Sequence, residues 1–563
     1  MNPEETQKFV RHWLLLLGAA CVWFLWDSRY VRNIWFMGMA GMALVCAILF
    51  FLTWKLKQGF VEKLPSPKNG VGSWIAFSLV ALALTLLFFN LKFYLFSYGS
   101  GRFAFAVGFS GVFALLLSRK SEPSPYIAFA KCLLLFGVLY RVAAFVPEVQ
   151  SGPFALGWSE GSRFYNASLF ASESIYGSRL PLPVLHPTRY LMQALPFFVG
   201  IRSILFHRIW QVVLWLGMTL WGSWLMAKRF SQSKKVSLPW LTALLFLFFF
   251  QGAVYYHLMV CVVLVLLGYK KDKPLRTLIF VLLASVWAGI SRVNWMPVPG
   301  LLAVALYLLD TPFDGKKWVK YLVWPVVWVI GGFALAYLAK QGYIAISGED
   351  PALFDSAFSS ALLWRRLWPN ATFFLGIVPA ILLVMLPGVA LFWLKFRDKS
   401  LPTLHWLQWL GLAGILGVFF AGGLVVSVKI GGGGDLHNLD GFLVFWVLIV
   451  GGILAMSSRH QETGDSVPEK QPWRFWLAVA VIVPVFFAFM RSGSWSFGAA
   501  KSQGTELSDL KRAVALLQEN GGDVLFISER QLLTFGELDL PVVPEYEKVF
   551  LMEMAMGNNR EYM

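Results

Sequence analysis

The chain has 563 residues, 58% of them hydrophobic and only 14% charged, with a mean hydropathy of +0.63. Soluble domains run about 45–50% apolar and about 25% charged, so this composition excludes an ordinary soluble fold and gives a polytopic membrane protein. The net charge of +17 suggests nucleic acid in a soluble protein, but here its placement between apolar runs matters more than its size. All four cysteines (Cys21, Cys46, Cys132, Cys261) fall inside apolar segments. That excludes a disulfide framework or a CxxC zinc site and leaves small buried hydrophobes.

Taken in order, the apolar runs give about fifteen candidate spans, on the usual length of roughly 17–25 residues. They lie near 12–26, 34–54, 73–96, 103–118, 127–146, 204–227, 238–250, 252–269, 276–291, 295–309, 320–340, 371–394, 404–428, 440–456 and 474–490. Runs 238–250 and 295–309 are short for a full crossing and read as half-helices or tilted pieces shielded from lipid by protein. The first run ends in Trp-Phe-Leu-Trp with no small-residue cleavage site, so it reads as a retained anchor.

Lysine and arginine clusters fall in alternate connections: Lys55 to Lys68, Arg119/Lys120, Lys228 to Lys235, Lys270 to Arg276, Lys316 to Lys320 and Lys395 to Lys399. The positive-inside rule places these in the cytoplasm, with the N-terminus. The outside then holds 147–203, 251–257, 292–295, 341–370, 429–439 and the tail. The expected setting is a bacterial plasma (inner) membrane.

The long polar connection 147–186 needs a reason, because long loops in compact proteins are usually functional. Glu160 stands just past an apolar run, followed by Arg163, Tyr165 and Asn166, then Ser172 to Arg179 and a Leu-Pro-Leu-Pro-Val-Leu-His-Pro approach to the next helix. We expect this loop to wall an active site, with Glu160 as its general base and Glu173 as a rival acid farther from a helix end.

The later outer loops add Tyr255-Tyr256-His257, Ser291-Arg292, Trp364-Arg365-Arg366, and Lys429 followed by Asp435, His437, Asn438 and Asp440. Arg292 and Lys429 each fit either phosphate recognition or snorkelling to the interface. Arg365 and Arg366 fit an interfacial segment with Trp364 and Trp368, and His257 alone fits a structural histidine. Asp435, His437 and Asp440 have ligand types that suit a hard cation. The Gly431–Gly434 run lacks the Gly-Lys-Ser/Thr and the preceding strand of a phosphate loop; it reads as a sharp turn or a close backbone approach. Beyond about residue 491 the composition becomes that of a small α/β segment expected outside the membrane, whose single strand either pairs elsewhere or, as we expect, belongs to a unit incomplete at Met563. It has a helix from Thr505 or Ser508 to about Gln518, a strand at Val524–Ser528 and a second helix from about Glu545.

The order of outer-loop acid (Ser159-Glu160), Arg163-Phe164-Tyr165, and His186-Pro187-Thr188 leading into a span resembles the first external loop of GT-C-type membrane glycosyltransferases. That superfamily includes protein O-mannosyltransferases and the aminoarabinose transferase of lipid A. The stretch from Lys429 to Asp440 resembles its last outer loop, which faces the donor phosphate. The chain departs from the pattern in having one acid rather than a pair, and Thr188 where a second proline is usual. The likeness covers roughly 128–440. It implies three regions: added N-terminal helices 1–126, a GT-C-like core 127–490 with outer loops 147–203, 341–370 and 429–439, and the outer segment 491–563.

The resemblance implies transfer of a sugar from a polyprenyl-phosphate-linked donor to a hydroxyl on a glycan, lipid or protein. Glu160 would be the catalytic base, and Arg163, Tyr165, His186, Arg292, Lys429, His437, Asn438 and Asp440 would bind substrate. A carboxylate can take the acceptor's proton, and fixed cations can stabilise the leaving phosphate. The lipid carries the activated sugar, so no cofactor is required and no metal ligand is assigned, although some relatives use a divalent ion. Nucleic acid is not an expected partner. A lipid or glycan transporter or flippase, or an inactive lipid-binding relative, is the alternative.

Overall fold

The computed structural model describes residues 3–31, 33–55, 70–89, 93–118, 122, 124–157, 159–231, 237–252, 254–358, 362–429, 435–460, 472–490, 500–521, 524, 526 and 528–540. These residues are all-helical. Twelve helices are long and apolar enough to cross a membrane, and three more, Leu238–Gln251, Tyr256–Gly268 and Pro274–Gly289, are apolar but shorter. Together they match the expected spans one for one.

Length explains which of them are incomplete. At 1.5 Å per residue, a helix of 13 or 14 residues reaches only about 20 Å, against roughly 30 Å of hydrocarbon. Leu238–Gln251 and Tyr256–Gly268 are therefore each too short to cross alone, and their junction is buried in protein. A Cβ on Gly252 would run into Leu443 and the Leu436 carbonyl. Tyr256, His257, Leu258, Met259, Cys261, Val262 and Val263 are all buried. The run near 295–309 is longer than its sequence suggests, because a 3-10 turn at Val293–Trp295 extends it back to Val293, ahead of the helix that ends at Asp310.

Two apolar cores hold the bundle. One centres on Tyr256–Gly268, Val298–Asp310 and Asp440–His460; the other joins the N-terminal helices to Pro125–Ala143 and the last span, Pro472–Met490. Tyr140 and Phe489 face each other at 4.5 Å, and Arg102 donates to the Phe489 carbonyl at 2.9 Å. The chain thus returns at its last span to the helices it began with.

Polar cross-links gather the loops at one end. Leu182 N donates to Ser347 O (2.7 Å), Tyr343 Oη to Pro183 O (2.7 Å), and Leu363 N to Val428 O (2.6 Å). Thr188 and Ser291 share a hydroxyl bond of 2.5 Å. At the other end Arg229 pairs with Asp310, and Gln408 donates to Leu308 O and Thr311 O.

The C-terminal segment departs from the expected α/β unit. No strand occurs among the described residues. Residues 525 and 527 of the expected strand, and the second helix from Glu545, lie outside them. The helix Ala500–Glu519 begins earlier than its expected caps. After it, residues 528–540 form a turn and a short helix, Gln531–Thr534, pressed onto the Glu160–Ser168 helix. Arg530, Gln531 and Leu532 are fully buried. Gln531 donates to Pro153 O (3.0 Å), Ala155 N donates to Glu529 (2.9 Å), and Tyr176 bonds Thr534 (3.1 Å). Phe535 packs among Phe164, Phe197 and His207. A lone strand has no partner in water, whereas a short apolar helix on an existing surface is stable.

Close approach at Gly161 permits this docking, since a Cβ there would meet Ser528 O and Gln531 Oε1. Gly161→Val is expected to release residues 528–540 and open them to limited proteolysis in membranes. Gly157→Val, at a site with open space, is expected to leave the digestion pattern unchanged.

Candidate functional site

The loop end is built on a knot around Arg208, which lies one turn into the Ile204–Phe230 span. All five guanidinium N–H groups are used. Nε and one Nη2 hydrogen go to Glu160 (3.1 and 3.0 Å), and the rest go to the carbonyls of Gln150 (2.7 Å), Gly152 (2.7 Å) and Phe154 (2.8 Å). Glu160 Oε2 also accepts from Leu156 N at 2.6 Å. The two side chains are 1% and 3% exposed. Both Glu160 oxygens are held by charge-assisted bonds, three in all. In this conformation the expected base anchors the loop to the span.

One turn on, the chain delivers cations to a deeper recess. Arg163, His186 and Arg189 lie far inside the protein yet keep part of their surface accessible, as groups lining an internal hollow do. His186 adopts the left-handed conformation (φ 51°) at the start of Pro187–Phe198, which turns its ring toward His257, 6.2 Å away. The Arg189 guanidinium stacks over the Tyr255 ring at 4.8 Å, and the Arg189 carbonyl accepts from Tyr256 Oη at 3.3 Å. Arg163 Nε, Arg189 Nε, His186 Nδ1 and both His257 ring nitrogens have no hydrogen-bond partner among the described residues. Neither Arg163 nor Arg189 forms an ion pair there. Burial, helped by Arg189, lowers the pKa of Arg163. Burial, then Arg292 and Arg189, holds His186 well below the ordinary histidine range.

The third arginine is braced. Arg292 donates to Asp440 Oδ2 (3.0 Å) and Asn438 Oδ1 (2.8 Å), while Asp440 Oδ1 accepts from Trp295 Nε1 (3.0 Å) and Gly441 N (2.7 Å). Beside them His437 Nδ1 bonds Asp435 Oδ1, and its ring lies 6.1 Å from that of Tyr255. Asp435, His437 and Asp440 do not converge as a cation's ligands would, since Asp440 is turned to Trp295 and Arg292. Among the described residues no group of three or more His, Cys, Asp or Glu is placed to hold a metal.

The structure therefore brings together Arg163, His186, Arg292, His437, Asn438 and Asp440. Tyr165 faces the other way, buried beneath the Arg530 guanidinium (5.2 Å). Lys429 enters through its backbone, bridging to Leu362 and accepting Arg366 Nη1 at 2.7 Å. Sequence reasoning missed Arg189 and Arg208. Arg189 had a signal in standing three residues after His186, and Arg208 in being a charge one turn inside an apolar run, where ionisable groups need partners. No protein-family model, curated protein or solved structure matches the chain.

Glu160→Ala strands the buried Arg208 charge, a loss of roughly 3–5 kcal/mol. The variant is expected to melt well below wild type in detergent, whereas Ala at the exposed Glu173 changes stability by less than about 0.5 kcal/mol. His186 is neutral when folded but takes a proton near 6.5 when unfolded. Its contribution is complete above that value and is lost as pH falls below it. His186→Asn, which tolerates the left-handed backbone, is expected to flatten the acid-side fall in melting temperature.

Proposed function

We propose that the protein is a membrane glycosyltransferase that binds a polyprenyl-phosphate sugar by its phosphate in the recess and passes the sugar to an acceptor hydroxyl. The observation that carries this reading is the gathering of Arg189 and Arg292 about His186 and His257, with Arg163 beside Arg189, and with Arg163 and Arg189 outside any ion pair among the described residues. A buried guanidinium without a direct ion pair is costly, and like charges repel strongly where water is scarce. A phosphate offsets both costs and matches the planar fork of arginine. As the sugar–phosphate bond breaks, charge grows on that phosphate, where fixed cations act most strongly. The resemblance of the Glu160 and Lys429–Asp440 stretches to GT-C-type enzymes supports the sugar-transfer part, and the positive-inside pattern supports an extracytoplasmic site. Glu160 enters as the scaffold of the loop; proton abstraction by it would require the Arg208 pair to open.

The test uses the full chain in nanodiscs, with a long-chain polyprenyl monophosphate as the binding probe and tritiated polyprenyl-phosphate hexoses and pentoses as donors. The proposal expects binding, donor turnover, and a loss of about tenfold to a hundredfold in affinity for Arg189→Gln, the worth of one charge-assisted bond. Arg292→Lys is expected to keep only part of the affinity, since a point charge does not reproduce the fork. Binding without turnover of any donor favours a lipid carrier or an inactive relative. Absence of binding overturns the phosphate site itself.

A further inference from the structure

We infer that Asp435 and His437 form the acid–base dyad of this site, with His437 accepting the acceptor hydroxyl's proton; the inference rests on the transferase reading above. Glu160 is committed on both oxygens to Arg208 and Leu156 N, and Asp440 on both oxygens to Trp295, Arg292 and Gly441 N. His437 is arranged differently. Its Nδ1 bonds Asp435 Oδ1, which also accepts the His437 backbone N–H at 2.9 Å. An ionised carboxylate only accepts hydrogen bonds, so Nδ1 carries a proton, and in the tautomer this selects Nε2 presents the lone pair.

Position supports the same role. The Asp435 side chain is 56% exposed and that of His437 19%, so the dyad stands at an exposed rim. Behind it lie the Tyr255 ring (6.1 Å) and then Arg189 stacked on that ring (4.8 Å). His437 is also near enough to His186 to act on it electrostatically. An acceptor arriving from water meets the imidazole before it meets the cations. One short turn, Leu436–Leu439, fixes both parts of the chemistry. Leu436 and Leu439 are fully buried and share one face of the turn, His437 leaves from another, and Asn438 with the following Asp440 holds Arg292.

In the step, the acceptor O–H proton passes to His437 Nε2 as the acceptor oxygen bonds the anomeric carbon. The bond from that carbon to the phosphate oxygen breaks, and its electron pair leaves with the polyprenyl monophosphate into the arginine recess. Asp435 does not touch substrate; it positions the ring and faces the imidazolium that forms.

The experiment uses the full chain in nanodiscs, with polyprenyl monophosphate binding and release of that lipid from labelled polyprenyl-phosphate sugars as separate readouts. His437→Ala is expected to bind the probe within about twofold of wild type and to lose about a hundredfold to ten-thousandfold in turnover. Added imidazole restores part of that rate, which a structural role does not allow. Asp435→Asn is expected to lower kcat while leaving the donor KM unchanged. Turnover by His437→Ala above one tenth of wild type, or no rescue by imidazole, overturns the dyad while leaving phosphate binding in place. If His437→Ala also loses probe binding, Asp435→Asn decides, and an unchanged kcat overturns the dyad. A wild-type protein that binds the probe but turns over no donor overturns the transferase reading and the dyad with it.

Discussion

The bidentate pair between Arg208 and Glu160 is the interaction on which the loop end depends. It ties a transmembrane helix to three loop carbonyls and one carboxylate, so the 147–160 connection has one path across the bundle. That path fixes the start of the Glu160–Ser168 helix, and through it the face that receives residues 528–540 and the turn that presents Arg163. Burying two charges costs several kcal/mol per ion, and the return depends on complete hydrogen bonding. Here every guanidinium N–H has an acceptor. Removing either partner therefore affects the loop, the docked tail segment and the recess together.

The arginines of this end fall into two physical states. Arg208 and Arg292 are bonded to carboxylates and behave as structure. Arg163 and Arg189 are set deep, with Arg189 close enough to weaken the hold of Arg163 on its proton, and both are outside any ion pair among the described residues. Native interiors rarely keep buried cations without a purpose. The difference between these two pairs is the ground on which the site is proposed at the recess.

Much of the fold was legible because bilayer thickness imposes a length and composition that single residues cannot hide. The fifteen apolar runs could be counted, and the loop at 147–203 stood out by its polarity. The 3-10 turn at Val293–Trp295 was not legible, since it reflects bracing by Asp440 far along the chain. Val524–Ser528 has the composition of a strand, but tertiary contact decides such short segments, and the described chain around it docks as turn and helix. Glu160 was recognisable as unusual while its pairing was not. Its partner is 48 residues later, inside an apolar run, and sequence shows no such pairing. His437 and Asp440 share the same short stretch, yet one lies at the rim and the other is sealed. That distinction belongs to packing.

The most direct measurement of the central claim is a cryo-electron microscopy map of the protein in nanodiscs with a polyprenyl monophosphate bound. The account predicts phosphate density within hydrogen-bond reach of the Arg163 and Arg189 guanidiniums and the His186 and His257 rings, with the Arg208–Glu160 pair still closed. Phosphate density elsewhere, for example beside Arg229 at the opposite end, with an empty recess, would contradict it.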